Sequence, residues 1–208
     1  MPAAERKRPW YLVLALLGAL ALGTTGSCSG WATIALYREP VDPSFGAEGI
    51  SDDADRAAVV ARTRAYVQTL DAAKRRGWPI GVATMLLGSA VFVFAMRAMG
   101  GNGGARVALI QLVVAQAGVD AAAYWLMRDV FEAHLRLLEA QQAAEIHERV
   151  PERPRADEVA RATSSMLRAA NPIVFAFRTL GSTLIVVALT RRRSREFFKA
   201  AGEAVEER

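Results

Sequence analysis

Cysteine occurs once, at Cys28, and histidine twice, at His134 and His147. A single cysteine excludes an intrachain disulfide and leaves the redox compartment unread. Neither histidine has a second histidine or a cysteine at ligand spacing. Each reads as a solvated residue on a helix face, and no metal site is expected. HExxH, paired CxxC, Glu-x-x-His, P-loop and Rossmann glycine patterns are all missing. With no nucleophile–base or metal constellation, the chain reads as non-enzymatic, and no cofactor is expected.

Lysine is also scarce: three residues stand against twenty-three arginines. Together with abundant alanine, that balance fits a GC-rich bacterial genome. The formal net charge of +5 raises the question of nucleic acid. No zinc-finger spacing and no aromatic-interleaved basic motif supports it, and the basic residues flank apolar blocks instead. Nucleic acid is therefore not an expected partner.

What is present is hydrophobicity in blocks, at residues 10–37, 78–99, 105–127 and 172–190. Each is near the roughly 20 apolar residues a helix needs to cross about 30 Å of hydrocarbon. The fold class expected is all-α: a polytopic membrane protein of four transmembrane helices with a helical domain outside the cytoplasm. Positive charge sets the orientation. Arg6, Lys7 and Arg8 precede the first block, Arg97 and Arg106 bracket the loop MGGNGG, and Arg191, Arg192, Arg193 and Arg195 follow the last. All three places face the cytoplasm of a bacterial inner membrane if both termini are inside; Lys74, Arg75 and Arg76 oppose that reading. The layout is a cytoplasmic N-terminus (1–9), a first span (10–37), an outer linker and helix (38–77), a second span (78–99) and a cytoplasmic loop (100–104). A third span (105–127), an outer helical segment (128–171), a fourth span (172–190) and a basic cytoplasmic tail (191–208) follow.

The stretch GTTGSCSG, residues 23–30, lies where a signal peptide would be cleaved or a lipid attached to cysteine. Thr25 stands where a lipobox needs a small apolar residue, and Ala19-Leu-Ala21 could serve a signal peptidase. Apolar sequence resumes at once as WATIALY, so an uncleaved first helix is preferred over both. Gly26 and Gly30, four apart, then form a face on which a neighbouring helix can pack closely.

In the outer regions, Ser51 reads as the N-cap of a helix that Gly77 and Pro79 end, carrying the apolar residues Val59, Val60, Tyr66, Val67 and Leu70. The third span is expected to continue outward unbroken along Phe131, Leu135 and Leu138 as far as Pro151–Pro154. A further helix covers about 155–169, and Asn171 with Pro172 starts the fourth span. Such amphipathic helices need a partner, either each other, another protein or an identical chain. The tail from Arg191 reads as either a basic segment on an anionic leaflet, with Phe197 and Phe198, or a frayed helix.

Pro79-Ile80, Ala83 and Leu87-Gly88-Ser89 match Pro172-Ile173, Ala176 and Leu180-Gly181-Ser182 in one register. A tandem two-helix repeat would explain that match. The charges inside the spans are Asp120 and Arg178. Counting from Trp125 and Pro172 places both about 8–9 Å inside the same boundary, so they can meet. Gln116, Asp120 and Tyr124 form one helical stripe, and Arg178 with Ser182 forms another. This polar cluster reads either as an ion pair fixing helix register or as a pocket for a proton, an ion or a small solute. The leading functional expectation is an interaction, assembly or sensory module; transport through the cluster is the alternative.

Overall fold

The computed structural model describes residues 9–38, 42, 44, 46–149 and 153–206. The basic start at Arg6–Arg8, most of the linker after Arg38 and the first part of the 151–154 proline segment lie outside that set. Among the described residues there are six helices and no strand: α1 (Trp10–Arg38), α2 (Asp53–Met99), α3 (Gly103–Leu126), α4 (Arg128–Arg149), α5 (Arg153–Thr190) and α6 (Arg192–Glu206). Four stretches are long and apolar enough to cross a membrane: Trp10–Arg38, Asp53–Met99, Gly103–Leu126 and Arg161–Thr190.

The helices differ from expectation where proline was read as a break. Pro79 lies inside α2 and Pro172 inside α5, so neither Gly77–Pro79 nor Asn171–Pro172 separates two helices. Proline removes one N–H and crowds one carbonyl, which a long helix can survive as a local defect. The interruption falls instead at Met127, between α3 and α4, with no glycine or proline beside it. There the Met127 N–H still donates to Ala123 O at 3.0 Å and the Phe131 N–H to Met127 O at 3.0 Å. Ser51 is not the N-cap of α2. Asp52 accepts from the Ala54 N–H at 2.8 Å and the Asp55 N–H at 3.2 Å, while Ser51 donates from N–H and Oγ to Glu148. A carboxylate is the stronger acceptor for the exposed N–H groups of a first turn.

The chain divides into two compact units. The first takes residues 1–34, 80–122 and 176–208, so it contains most of α1, the ends of α2 and α5, most of α3, and α6. Its core joins Leu12, Leu16, Val91, Leu109, Val113 and Leu189, all wholly buried. Its outer faces are apolar too: Leu14, Val93, Val114, Phe177 and Leu184 are exposed. The tight turn between α2 and α3 uses Gly101 at φ 86°, a left-handed conformation that glycine adopts without strain, and Asn102 Oδ1 caps α3 by accepting from the Ala105 N–H at 2.9 Å.

The tail is neither frayed nor free to insert both phenylalanines elsewhere. α6 extends to Glu206 and buries Phe198 beside Gly103. Ser194 Oγ donates to Ala188 O at 2.7 Å, and Arg106 reaches Leu189 O at 3.0 Å. The last carbonyls of α5, which have no intrahelical donor, are satisfied in this way.

The second unit comprises residues 35–79 and 123–175. Val59, Leu70, Ala73, Leu137 and Ala144 form its core, with Tyr37 and Tyr66. Burial of each larger aliphatic side chain contributes about 1.5–3 kcal/mol where water is the alternative, and it also pushes the Tyr66 phenol up. Gly77 admits Tyr37: a Cβ there would lie 2.6 Å from its Cε2. Ion pairs cross the surface of this unit, Arg76 with Asp129 and Arg168 with Glu132. His147 does not stand on a solvated face; its Nδ1 lies 3.0 Å from Asp55 Oδ2 and its side chain is 12% exposed. His134 is exposed, its ring centroid 5.4 Å from that of Tyr66.

Candidate functional site

Asp120 and Arg178 meet. Asp120 Oδ2 lies 3.5 Å from Arg178 Nε, and the Asp120 side chain is only 10% exposed. One helical turn earlier on α3, Gln116 is wholly buried and donates from Nε2 to Asp120 Oδ1 at 3.3 Å. Gly26 makes room for that amide, because a Cβ at this position would lie 3.3 Å from Gln116 Nε2. The contact is a single long one rather than a bidentate fork, so neither charge is saturated. Three atoms of the cluster are buried without a hydrogen-bond partner: Gln116 Oε1, Arg178 Nη2 and Ser182 Oγ. A buried polar group left unpaired costs about 1–3 kcal/mol, so these atoms set the cluster apart from a fully satisfied ion pair. They offer one acceptor and two donors around a carboxylate.

The Tyr124 ring stacks on Phe175 at 4.6 Å between centroids, within the second unit.

Gly26 and Gly30 both lie close against α2. A Cβ at Gly26 would lie 3.3 Å from Gly88 Cα, and one at Gly30 would lie 2.7 Å from Gly81 O. Gly23, not singled out from sequence, belongs to the same face, 2.6 Å from Phe92 N by the same measure. The facing glycines were also missed, although Gly23 with Gly30 and Gly81 with Gly88 share a spacing of two turns. Ser27 and Ser89 hydroxyls meet across this contact at 3.1 Å. Cys28 is exposed on α1 and free.

A groove of about 650 Å³ runs between α1 and α5. Its walls are apolar, from Leu14, Leu22, Leu184 and Ile185. One end is formed by Trp10, Tyr11 and Arg191, and the other by Thr25, Arg178 and Ser182. The groove therefore borders two residues of the cluster, Arg178 and Ser182. Among the described residues, no three His, Cys, Asp or Glu side chains converge as metal ligands would. Comparison with protein families, with curated proteins and with solved structures finds no match.

Proposed function

We propose that this chain is a four-span protein of a bacterial inner membrane, with both termini cytoplasmic and an uncleaved first helix. The apolar exposed faces of the first unit support the spanning reading, since water would not tolerate so many together. Its function is interaction or assembly: the second unit lies outside the bilayer and binds a partner helix, from another protein or an identical chain. One observation carries this. Val159 and Met166 stand seven apart on α5, with Ala162 between them and Ala169 one turn further on, and all are exposed. Apolar residues at heptad spacing form the seam of a helix pair, while Ser164, on another face of that helix, is buried. Cysteine placed at Val159 or Met166 in a Cys28→Ser background should crosslink in native membranes, to a second copy or to another protein. Monomer alone, with residue 28 and both seam positions shown to be accessible to thiol reagents, would remove the seam from consideration.

The second reading is transport, favoured by the three unpartnered atoms around Asp120 and Arg178. It requires that neutralising both charges abolish a flux of protons, ions or a small solute in reconstituted vesicles. Flux retained in the double variant leaves the pair a structural clamp.

A further inference from the structure

We infer that the groove between α1 and α5 is a binding site for one anionic phospholipid. Its phosphate lies at the Arg191 end and one acyl chain lies along the apolar wall. The inference rests on the spanning reading above.

The chemistry at the two ends differs. At the first end the Arg191 guanidinium carbon lies 5.3 Å from the centroid of the Tyr11 ring, and no carboxylate pairs with Arg191 among the described residues. The Tyr11 hydroxyl beside it is buried and has no hydrogen-bond partner. A fixed cation with an adjacent unused O–H donor suits a phosphate diester, which offers charge and several acceptor oxygens. Trp10, 74% exposed, completes this end with a ring of the kind that resides at membrane interfaces. Arg193 and Arg195 follow closely in sequence and add to the positive field, whereas Arg192 is paired with Glu196. Arg178 at the other end already faces Asp120, so the anion belongs at Arg191.

The wall between the ends has the right length. Ten residues separate Gly181 from Arg191, or about 15 Å of helix, which is one leaflet's share of a hydrocarbon core about 30 Å thick. The small residues Gly18, Ala21 and Gly181 open this length; a Cβ on Gly181 would meet nothing within 4 Å. Without an occupant, Ile185 and Leu22 would line an unfilled slot, and an acyl chain supplies the missing dispersion contacts.

The test is native mass spectrometry of the full chain in a neutral detergent, titrated with phosphatidylglycerol and phosphatidylcholine of identical chains. The expected result is one retained lipid, with phosphatidylglycerol favoured about fivefold, the increment of one basic residue near a membrane surface. Arg191→Ala should equalise the two lipids, and Tyr11→Phe should reduce the preference. Gly181→Leu should fill the slot and lose the lipid while keeping its helical circular dichroism. Should that variant not fold, Ala21→Phe, at an exposed wall position, gives the same reading. Equal retention of both lipids by the wild type would overturn the proposal, as would undiminished retention by the slot-filling variants. Displacement of the lipid by millimolar inorganic phosphate would overturn it too, by making the site one for free anions. An alkaline carbonate wash of membranes separates the two readings. Release of the chain sinks the spanning reading, whereas a membrane-retained chain without lipid preference sinks the groove alone.

Discussion

α1 meets α2 and α5 through the same tripeptide, Leu-Gly-Ser, yet the two contacts have opposite character. On α2, Gly88 is pressed against α1 so closely that a Cβ would lie 2.7 Å from Gly26 C, and Ser89 bonds Ser27. On α5, Gly181 faces open space, and the Ser182 hydroxyl is buried without a partner. The difference lies in α1. It offers Gly23, Gly26 and Gly30 to α2, but Leu14, Gly18 and Leu22 to α5. A small residue brings helices together only where the opposing surface is also small; opposite a bulky one it leaves a gap. α5 is tied to α3 through Arg178 and Asp120, while Ile185 and Leu189 join the core shared by α1, α2 and α3.

The most direct way to break this comparison is one substitution made at both positions. Gly88→Leu should destabilise the protein by about 3 kcal/mol, the upper end for overpacking, because backbone rather than side chains stands in the way. Gly181→Leu should change stability by no more than about 0.5 kcal/mol. Unfolding in mixed detergent measures both, and equal effects would mean that the open and closed contacts are not distinct. A smaller effect is expected at the ion pair. Asp120→Ala and Arg178→Ala should each destabilise, and the double variant should recover part of the loss, with a coupling of about 1 kcal/mol. Additive losses would show that α5 is not secured through this pair. The serines give the smallest effect, with opposite signs. Ser27→Ala loses a bond across the closed contact and should cost about 0.6 kcal/mol. Ser182→Ala removes an orphaned hydroxyl and should be neutral or stabilising. A loss at Ser182 matching that at Ser27 would reveal a partner for its hydroxyl and fill the gap.

Much of this was legible in the sequence, but unevenly. The four apolar stretches follow from block lengths, and Asp120 with Arg178 follows from counting inward along antiparallel helices. Gln116 and Ser182 were reachable because four residues return a helix to nearly the same face. Tyr124, one step of four beyond Asp120, stacks on Phe175, a pairing that the spacing on one helix does not reveal. Pro79 and Pro172 misled for a different reason. Local propensity counts the missing N–H against the helix, whereas the neighbours on either side continue it. The break at Met127 has no local signature at all. The groove was illegible too, since it depends on which face of α1 meets α5, and the matched tripeptide argues for likeness where the packing shows difference.

The closed contact also bears on heredity. Every one-base missense change in a glycine codon installs a residue with a Cβ. At Gly23, Gly30 and Gly88 that first carbon would lie within 3 Å of backbone on the facing helix, an approach that real Cβ atoms essentially never make. At these three positions no missense step is conservative, whereas Gly181, encoding the same residue in the same tripeptide, is open to variation.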